Sequence, residues 1–393
     1  MRMYLGLATL ALFSVGPLAA QDAPAVAGPH SPKTLAIGEK APDFSLPGVD
    51  GKTYSLKDFA ASKVLVVAFM CDHCPVASMY ESRLKKITAD YRDRGVAVVA
   101  IQPNNPNSIE LEERGHTDLG DTLPEMKMRA DYRHINYPYL YDGETQSVGR
   151  LYGPVATPHV FIFDQERKLQ YEGHIDNNSR ESLVTNQTAR DAIDAVLAGK
   201  PVAVPKTPAI GCSIKWAYKQ DIVHSTTARF NQRPVTVEPI GAEQLVALRK
   251  NGTGKILLVN FWATWCGPCI EEFQDLMDMT RMYGKRDFQM VTVSTNYPDE
   301  KTGVMKVLQE NHAALSKNYI FGTMDPYELM GAYDKTWSGG VPFTMVIGMK
   351  GEILYKSEGA IDPLEIRRIL LKNFPDNDQY VGLHEFWNQP VDK

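Results

Sequence analysis

The sequence predicts an α/β chain of two successive domains, each a central mixed β-sheet flanked by helices. Three observations predict it. A Cys-x-x-Cys motif stands at the end of a short apolar strand twice: Cys71-Asp72-His73-Cys74 after Val64 to Met70, and Cys266-Gly267-Pro268-Cys269 after Ile256 to Trp265. Helical periodicity follows each motif. Each half then closes on an apolar hairpin and a helix, with Thr157-Pro158 or Val341-Pro342 just ahead of the hairpin. At 393 residues the chain is too long for one ordinary domain.

The elements follow in order. Arg2, the apolar stretch Leu5 to Leu18 and the alanines after it read as a signal peptide over residues 1–20. The alternative, an uncleaved membrane anchor, needs a longer apolar run. Residues 21–36 are rich in Ala, Pro, Gly and Ser and read as a disordered leader. The first domain is expected over 37–200. Phe44 to Leu46 and Val49 to Tyr54 flank Asp50-Gly51, a hairpin turn signal. Val64 to Met70 and Val96 to Ile101 are continuous apolar runs, as central parallel strands require. Residues 103–122 read as a long loop and Leu123 to Tyr132 as a helix. Val160 to Phe163 and Leu169 to His174 read as antiparallel strands, with a closing helix over 188–198. Pro201, Pro205 and Pro208 mark a linker over 201–240 that contains Cys212. The second domain, 241–374, repeats the order: strand 256–262, helix 267–284, strand 288–293, helix 303–313, hairpin 343–355 and helix 363–371. A tail over 375–393 carries Tyr380, Phe386 and Trp387.

Composition narrows the function classes. Hydrophobic residues are 44% and charged residues 23%, an ordinary globular balance. The net charge is −5 with no basic run, which argues against a nucleic-acid partner. An exported chain lies where disulfides persist, in the periplasm or another extracytoplasmic space, soluble once the leader is cleaved. Five cysteines, four of them at x-x spacing, favour redox or metal chemistry over a stapling framework.

A dithiol works by thiolate attack on a partner disulfide, after which a second cysteine resolves the mixed disulfide. The attacking thiol must be exposed and acidified, as at a helix N-terminus, and one helical turn brings the second within bonding reach. Cys71 and Cys266 are therefore the expected nucleophiles, and Cys74 and Cys269 the resolving thiols. His73 favours a Cys71 thiolate when protonated, while Asp72 opposes it. The leftover Cys212 has three readings: an inert buried hydrophobe, a third redox thiol folded back near Cys71 and Cys74, or an intermolecular disulfide.

Phe261 to Cys269 resembles the active site of the thioredoxin superfamily, in particular its bacterial extracytoplasmic thiol–disulfide oxidoreductases. That resemblance implies a buried Asn at Asn260, where cytoplasmic thioredoxins have Asp. It also implies proton transfer to the resolving thiol by Glu272. Trp265, beside the nucleophile, reads as a contact for substrate, with simple packing the alternative. The first half resembles the peroxiredoxin-related redoxins through Ala41 to Leu46, Asp50-Gly51-Lys52, Cys71 to Pro75, Thr157 to Phe161 and Gly211 to Trp216. Ala68 and Val64 stand where peroxiredoxins, counted from Cys71, have Thr and Pro. Leu65 and Ala77 fall at the places of Asn260 and Glu272 when the two motifs are aligned cysteine to cysteine. The resemblance also implies a cis proline facing each dithiol, at Thr157-Pro158 and Val341-Pro342, whose preceding backbone pairs with a partner peptide.

The expected function is thiol–disulfide exchange with protein dithiols or disulfides, fed by a membrane or soluble thiol reductant or oxidant. The two centres either pass electrons to each other or serve separate partners. No organic cofactor is implied, because no phosphate-cradling Gly-rich loop is present. Alternatives are a thiol peroxidase in the first domain reduced by the second, and copper binding through Cys71 and Cys74 with Met70, Met79, His73 and His159. Structural zinc requires a second ligand pair near either motif, and the sequence offers none.

Overall fold

The computed structural model describes residues 32–375 and 383–388; the expected signal peptide, most of the leader and Tyr380 lie outside the described residues. The first domain opens with β1 (Ser45–Pro47) and β2 (Thr53–Ser55), an antiparallel hairpin. Its turn uses Gly51 at φ 80°, and Asp50 accepts a hydrogen bond from Lys52 N at 3.1 Å. Then come β3 (Val64–Phe69), β4 (Val96–Gln102), β5 (Tyr139–Tyr141), β6 (Ala156–Thr157), β7 (His159–Phe163) and β8 (Leu169–Gly173). All but β6 form one sheet in the order β5-β4-β3-β7-β8. β3 is parallel to β4 and antiparallel to β7.

The continuous apolar run of β3 is explained by its central place. Val64, Val66 and Ala68 enter one core with Tyr80, Ile87, Ala192 and Ile193, from α1 (Pro75–Tyr91) and a later helix. Leu65, Val67 and Phe69 alternate to the opposite face and pack with Phe161, Phe163 and Tyr152. Helix α2 (Leu123–Arg133) begins with a capping box between Thr122 and Glu125. Helices α3 (Ser147–Tyr152) and α4 (Thr188–Leu197) complete the layers.

The stretch expected to be a linker departs from that reading. β9 (Cys212–Ser213) pairs antiparallel with β6, and Ile210, Ile214 and Trp216 are buried against the first domain. Helix α5 (Gln220–Asn231) follows, and β10 (Glu238–Ile240) becomes the edge strand of the second sheet. Three large apolar side chains in this stretch remove more surface from water when docked than a free spacer could. The Pro205 carbonyl accepts from Glu172 N and the Pro208 carbonyl meets His174 Nδ1, so this stretch runs along β8 rather than as a free arm.

The second domain runs through α6 (Ala242–Lys250), β11 (Ile256–Trp262), α7 (Gly267–Glu271), α8 (Phe273–Tyr283), β12 (Phe288–Ser294) and α9 (Lys301–Glu310). It continues with β13 (Lys317–Phe321), α10 (Pro326–Tyr333), β14 (Phe343–Ile347), β15 (Ile353–Glu358) and α11 (Pro363–Asn373). The strand order is β10-β13-β12-β11-β14-β15. The single helix expected over 267–284 is two, broken at Glu272 with φ −79° and ψ −9°. The sequence reading missed β10, the edge strand, and β13 beside it.

The domains are joined by charge as well as by chain. Asp118, fully buried, accepts from Arg129 at 2.7 Å in its own domain and from Arg368 of α11 at 2.8 Å. Arg286 donates to the Gly115 carbonyl at 2.8 Å. The tail helix α12 (Leu383–Asn388) packs over this junction: Trp387 Nε1 donates to His116 O at 3.3 Å, and the Arg133 guanidinium lies 4.3 Å above the Phe386 ring. Removing Asp118 strands two guanidinium groups, one of them wholly buried. Asp118→Ala should cost about 3–5 kcal/mol. Differential scanning calorimetry should resolve separate melting of the two domains in this variant, and one joint transition in the wild type.

Candidate active site

In the second domain, β11 delivers Asn260 to the middle of the sheet and the chain then turns into α7. Cys266 is the N-cap, and its Sγ accepts from Cys269 N at 3.3 Å. Cys266 and Cys269 form a disulfide with Cα atoms 5.3 Å apart. Trp265 beside them is 70% exposed, while Cys269 is fully buried. The Val341–Pro342 bond is cis, and the Val341 carbonyl lies 3.5 Å from Cys266 Sγ. Below the disulfide, Asn260 Nδ2 donates to Glu272 at 2.8 Å and to Thr344 at 2.9 Å, and Glu272 also accepts from Ile361 N at 3.1 Å. Burial raises the Glu272 carboxyl above its ordinary range, against the opposing hydrogen bonds from Ile361 and Asn260.

The first domain builds the same arrangement around a different cysteine than expected. Cys74 is the N-cap of α1, with Pro75 at the first helical position. Its Sγ accepts from Ala77 N at 3.5 Å and lies 3.6 Å from the Thr157 carbonyl, ahead of the cis Thr157–Pro158 bond. The sheets align the two sites independently: Phe69 pairs with His159, next to Pro158, as Phe261 pairs with Phe343, next to Pro342. Cys74 follows Phe69 at the same spacing as Cys266 follows Phe261. Cys74 therefore stands at the place of Cys266, Ala77 at that of Cys269, Ala68 at that of Asn260 and Tyr80 at that of Glu272. The expected matches of Leu65 and Ala77 to Asn260 and Glu272 are out of register. Aligning the motifs by their first cysteines ignored Pro75, which marks where the helix begins.

Cys71 departs from the exposed, acidified thiol that the sequence suggested. It is 3% exposed, unpaired, and 2.8 Å from Thr157 Oγ1. Burial pushes its thiol well above the usual range; the charges of Asp121 and Asp72 add to this, against the Thr157 hydrogen bond. Cys74 instead forms a disulfide with Cys212, their Cα atoms 6.0 Å apart. Cys212 is thus placed against the first motif and bonded within the chain.

His73 points inward to an acid that sequence reading passed over. Its Nδ1 lies 2.6 Å from Asp121 Oδ2; Asp121 also accepts from Asp72 N at 2.8 Å, His73 N at 3.0 Å and Asn104 at 2.8 Å. Burial alone would raise Asp121, but His73 and these hydrogen bonds hold it down at about 2. The polar loop 103–122 had no periodic signal that could have singled out Asp121. Cys71 Sγ, a His73 ring nitrogen and an Asp121 oxygen lie within 4.8 Å of one another, a set of atom types able to hold a metal ion. The other copper candidates are engaged elsewhere: His159 lies 2.8 Å from Glu172, Met70 and Met79 pack in the core, and Cys74 is bonded to Cys212.

Comparison with known proteins matches both halves. Residues 37–172 match the AhpC/TSA family and residues 231–368 match the Redoxin family. The thiol:disulfide interchange protein HelX of Rhodobacter capsulatus is 33% identical over 130 residues, covering 32% of this chain and 65% of that protein. The thioredoxin-like protein YneN of Bacillus subtilis is 32% identical over 119 residues, 28% of this chain and 69% of its own. A Mycobacterium tuberculosis protein named as a peroxiredoxin is 31% identical over 159 residues, 38% of this chain and 96% of its own. Less than two thirds of HelX, and 54% of the interchange protein DsbE of Allochromatium vinosum, is spanned. Among solved structures, a hypothetical protein of Sinorhizobium meliloti is 36% identical, covering 48% of this chain and 98% of that one, with a TM-score of 0.42.

Asp121→Asn removes the charge facing His73 and one set of acceptor lone pairs. It should destabilise the chain by about 1–3 kcal/mol at neutral pH. A carboxylate held below its unfolded pKa stabilises fully above the unfolded value and loses that contribution as pH falls through the folded one. The wild-type advantage in urea unfolding should therefore hold down to about pH 4 and shrink toward about pH 2.

Proposed function

The chain belongs to the thioredoxin-like redoxin proteins, and on that footing we propose that it is an exported thiol–disulfide oxidoreductase with two unequal centres, Cys266–Cys269 and Cys74–Cys212. The observation that carries this reading is the repeated geometry: in each half a helix-start cysteine faces the carbonyl ahead of a cis proline. The apolar stretch and the alanines of the N-terminus support export.

In the reductive direction the Cys266 thiolate attacks a partner disulfide. One partner sulfur bonds to Cys266 and the other leaves as a thiolate. Cys269 then attacks Cys266, closing Cys266–Cys269 and releasing the second partner thiolate, so two electrons pass to the partner. Glu272, raised by burial, takes the proton from Cys269, and Trp265, 70% exposed, meets the partner surface. Partners are protein dithiols and disulfides, with a membrane or soluble thiol couple renewing the centre. The same chemistry permits a relay in which the Cys266/Cys269 dithiol reduces Cys74–Cys212.

A second reading is favoured by one observation: Cys74 bonds to the distant Cys212 while the vicinal Cys71 stays unpaired. A peroxide would oxidise Cys74 to a sulfenic acid, and Cys212 would condense with it, releasing water. Domain 2 would then supply the two electrons that reopen the bond.

Cys269→Ser should accumulate mixed disulfides on Cys266, seen by non-reducing gel and mass mapping; a chain that never traps a partner or its own first domain lacks the exchange activity. Glu272→Gln should slow closure of Cys266–Cys269 by about 10²-fold. Stopped-flow oxidation by a model disulfide reads that rate. Peroxide consumption that vanishes in Cys74→Ser supports the second reading; consumption that persists removes it.

A further inference from the structure

The two matched sites differ in what lies along the backbone ahead of the cis proline. In domain 2, no strand among the described residues pairs with Val341. In domain 1 the same edge is filled by the chain itself. Thr157 pairs antiparallel with Cys212, and Ala156 with Ser213. Cys212 is at the same time bonded to Cys74. An extended segment paired beside the proline, its cysteine joined to the helix-start cysteine, has the form of an exchange intermediate with a protein substrate.

The segment is shaped for this place. Gly211 has φ 147°, and a Cβ there would fall 2.6 Å from the Thr157 carbonyl carbon and 3.1 Å from Pro158 N. Only glycine lets the backbone approach so closely. Ile210 and Ile214 are buried on either side. Lys215 N donates to Asn104 at 2.8 Å, and the Lys215 carbonyl accepts from Asn105 N at 2.8 Å and Gln146 at 3.0 Å. None of these contacts needs the disulfide. Cys74 is fully buried, whereas Cys212 is half-buried and followed by exposed Ser213. Of the two bonded cysteines, Cys212 is the one with surface open to solvent.

We propose that residues 210–214, Ile-Gly-Cys-Ser-Ile, are an internal substrate seated on the protein-docking edge of domain 1. Cys74 then exchanges with Cys212 alone, and external cysteine peptides enter through domain 2. This rests on the exchange reading above. A reducing thiolate, from the Cys266/Cys269 dithiol, attacks Cys212 Sγ. The Cys74–Cys212 bond breaks, Cys74 leaves as a thiolate and takes a proton from water, and the attacking sulfur is bonded to Cys212. Cys269 then releases Cys212 as a thiol and forms Cys266–Cys269. One disulfide is consumed and one is formed.

The test uses the reduced full-length chain and an extended cysteine peptide whose thiol carries a thionitrobenzoate leaving group, with thionitrobenzoate-activated cysteine as the small control. Labelled sites are mapped by mass. In a Cys269→Ser background, where no second thiol releases the Cys266 adduct, the peptide should label Cys266 and spare Cys74. Gly211→Val, joined to Cys212→Ser so that no second thiol releases a Cys74 adduct, should unseat the segment. With peptide at about 0.1 mM against a tethered segment at an effective concentration in the millimolar range, Cys74 labelling should rise at least about tenfold. Cys212→Ser keeps the seated segment without its thiol, so Cys74 should remain closed to the peptide. Equal labelling of Cys74 and Cys266 in the Cys269→Ser background, with or without Cys212→Ser, overturns the proposal, as does a folded Gly211→Val/Cys212→Ser chain whose Cys74 stays closed. If the small reagent labels neither Cys266 nor Cys212, the exchange reading itself fails, and this proposal with it.

Discussion

Everything at the two centres depends on the spacing between a central strand and the helix after it. The strand is fixed by its pairing with the first strand of the closing hairpin, and that pairing also fixes the carbonyl ahead of the cis proline. The helix start then sets one sulfur against that carbonyl, 3.5 Å away in one half and 3.6 Å in the other. A cysteine displaced by one helical turn's worth of sequence falls out of this arrangement, as Cys71 does. What sets a sulfur against the cis-proline carbonyl here is its register with the sheet, more than its membership of a Cys-x-x-Cys string.

That distinction explains what could be read from the sequence and what could not. The two α/β domains were legible because β3 and β11 are unbroken apolar runs and because Thr157-Pro158 and Val341-Pro342 precede hairpins of matching pattern. In the second half the site was legible nearly whole, since Asn260, Trp265, Cys266, Cys269, Glu272 and Pro342 carry its local motif. In the first half the string Cys71 to Cys74 invited a local pairing, but the bond joins Cys74 to Cys212. Pairing across such a distance is settled by tertiary packing, here by Ile214 and Trp216 finding the core. Asp121 was illegible for a related reason: its importance comes from the peptide N–H groups and ring that converge on it, none of them close in sequence.

The electrostatics of the two centres diverge accordingly. Beneath Cys266 the polar groups are Asn260, Thr344 and the Glu272 carboxyl, raised by burial. Beside Cys74 lies a network of buried charge: Asp121 against His73, and Asp118 between Arg129 and Arg368. Networks of this kind are costly to disturb once satisfied and hold their geometry through a reaction cycle. Cys71 sits inside this network as a thiol whose ionised form the surroundings oppose.

The docked segment around Trp216 also bears on how the molecule can be divided. A fragment ending near residue 200, where proline spacing suggests a boundary, would keep the sheet and Cys74 but lose Cys212, Ile214 and the Trp216 side chain that fills the core beside Gly149. Such a piece would present an open apolar slot and a cysteine without its partner. A piece beginning near residue 241 would lose β10 and leave the edge of β13 unpaired. Biochemistry on the separate halves would then describe surfaces that the intact chain keeps covered.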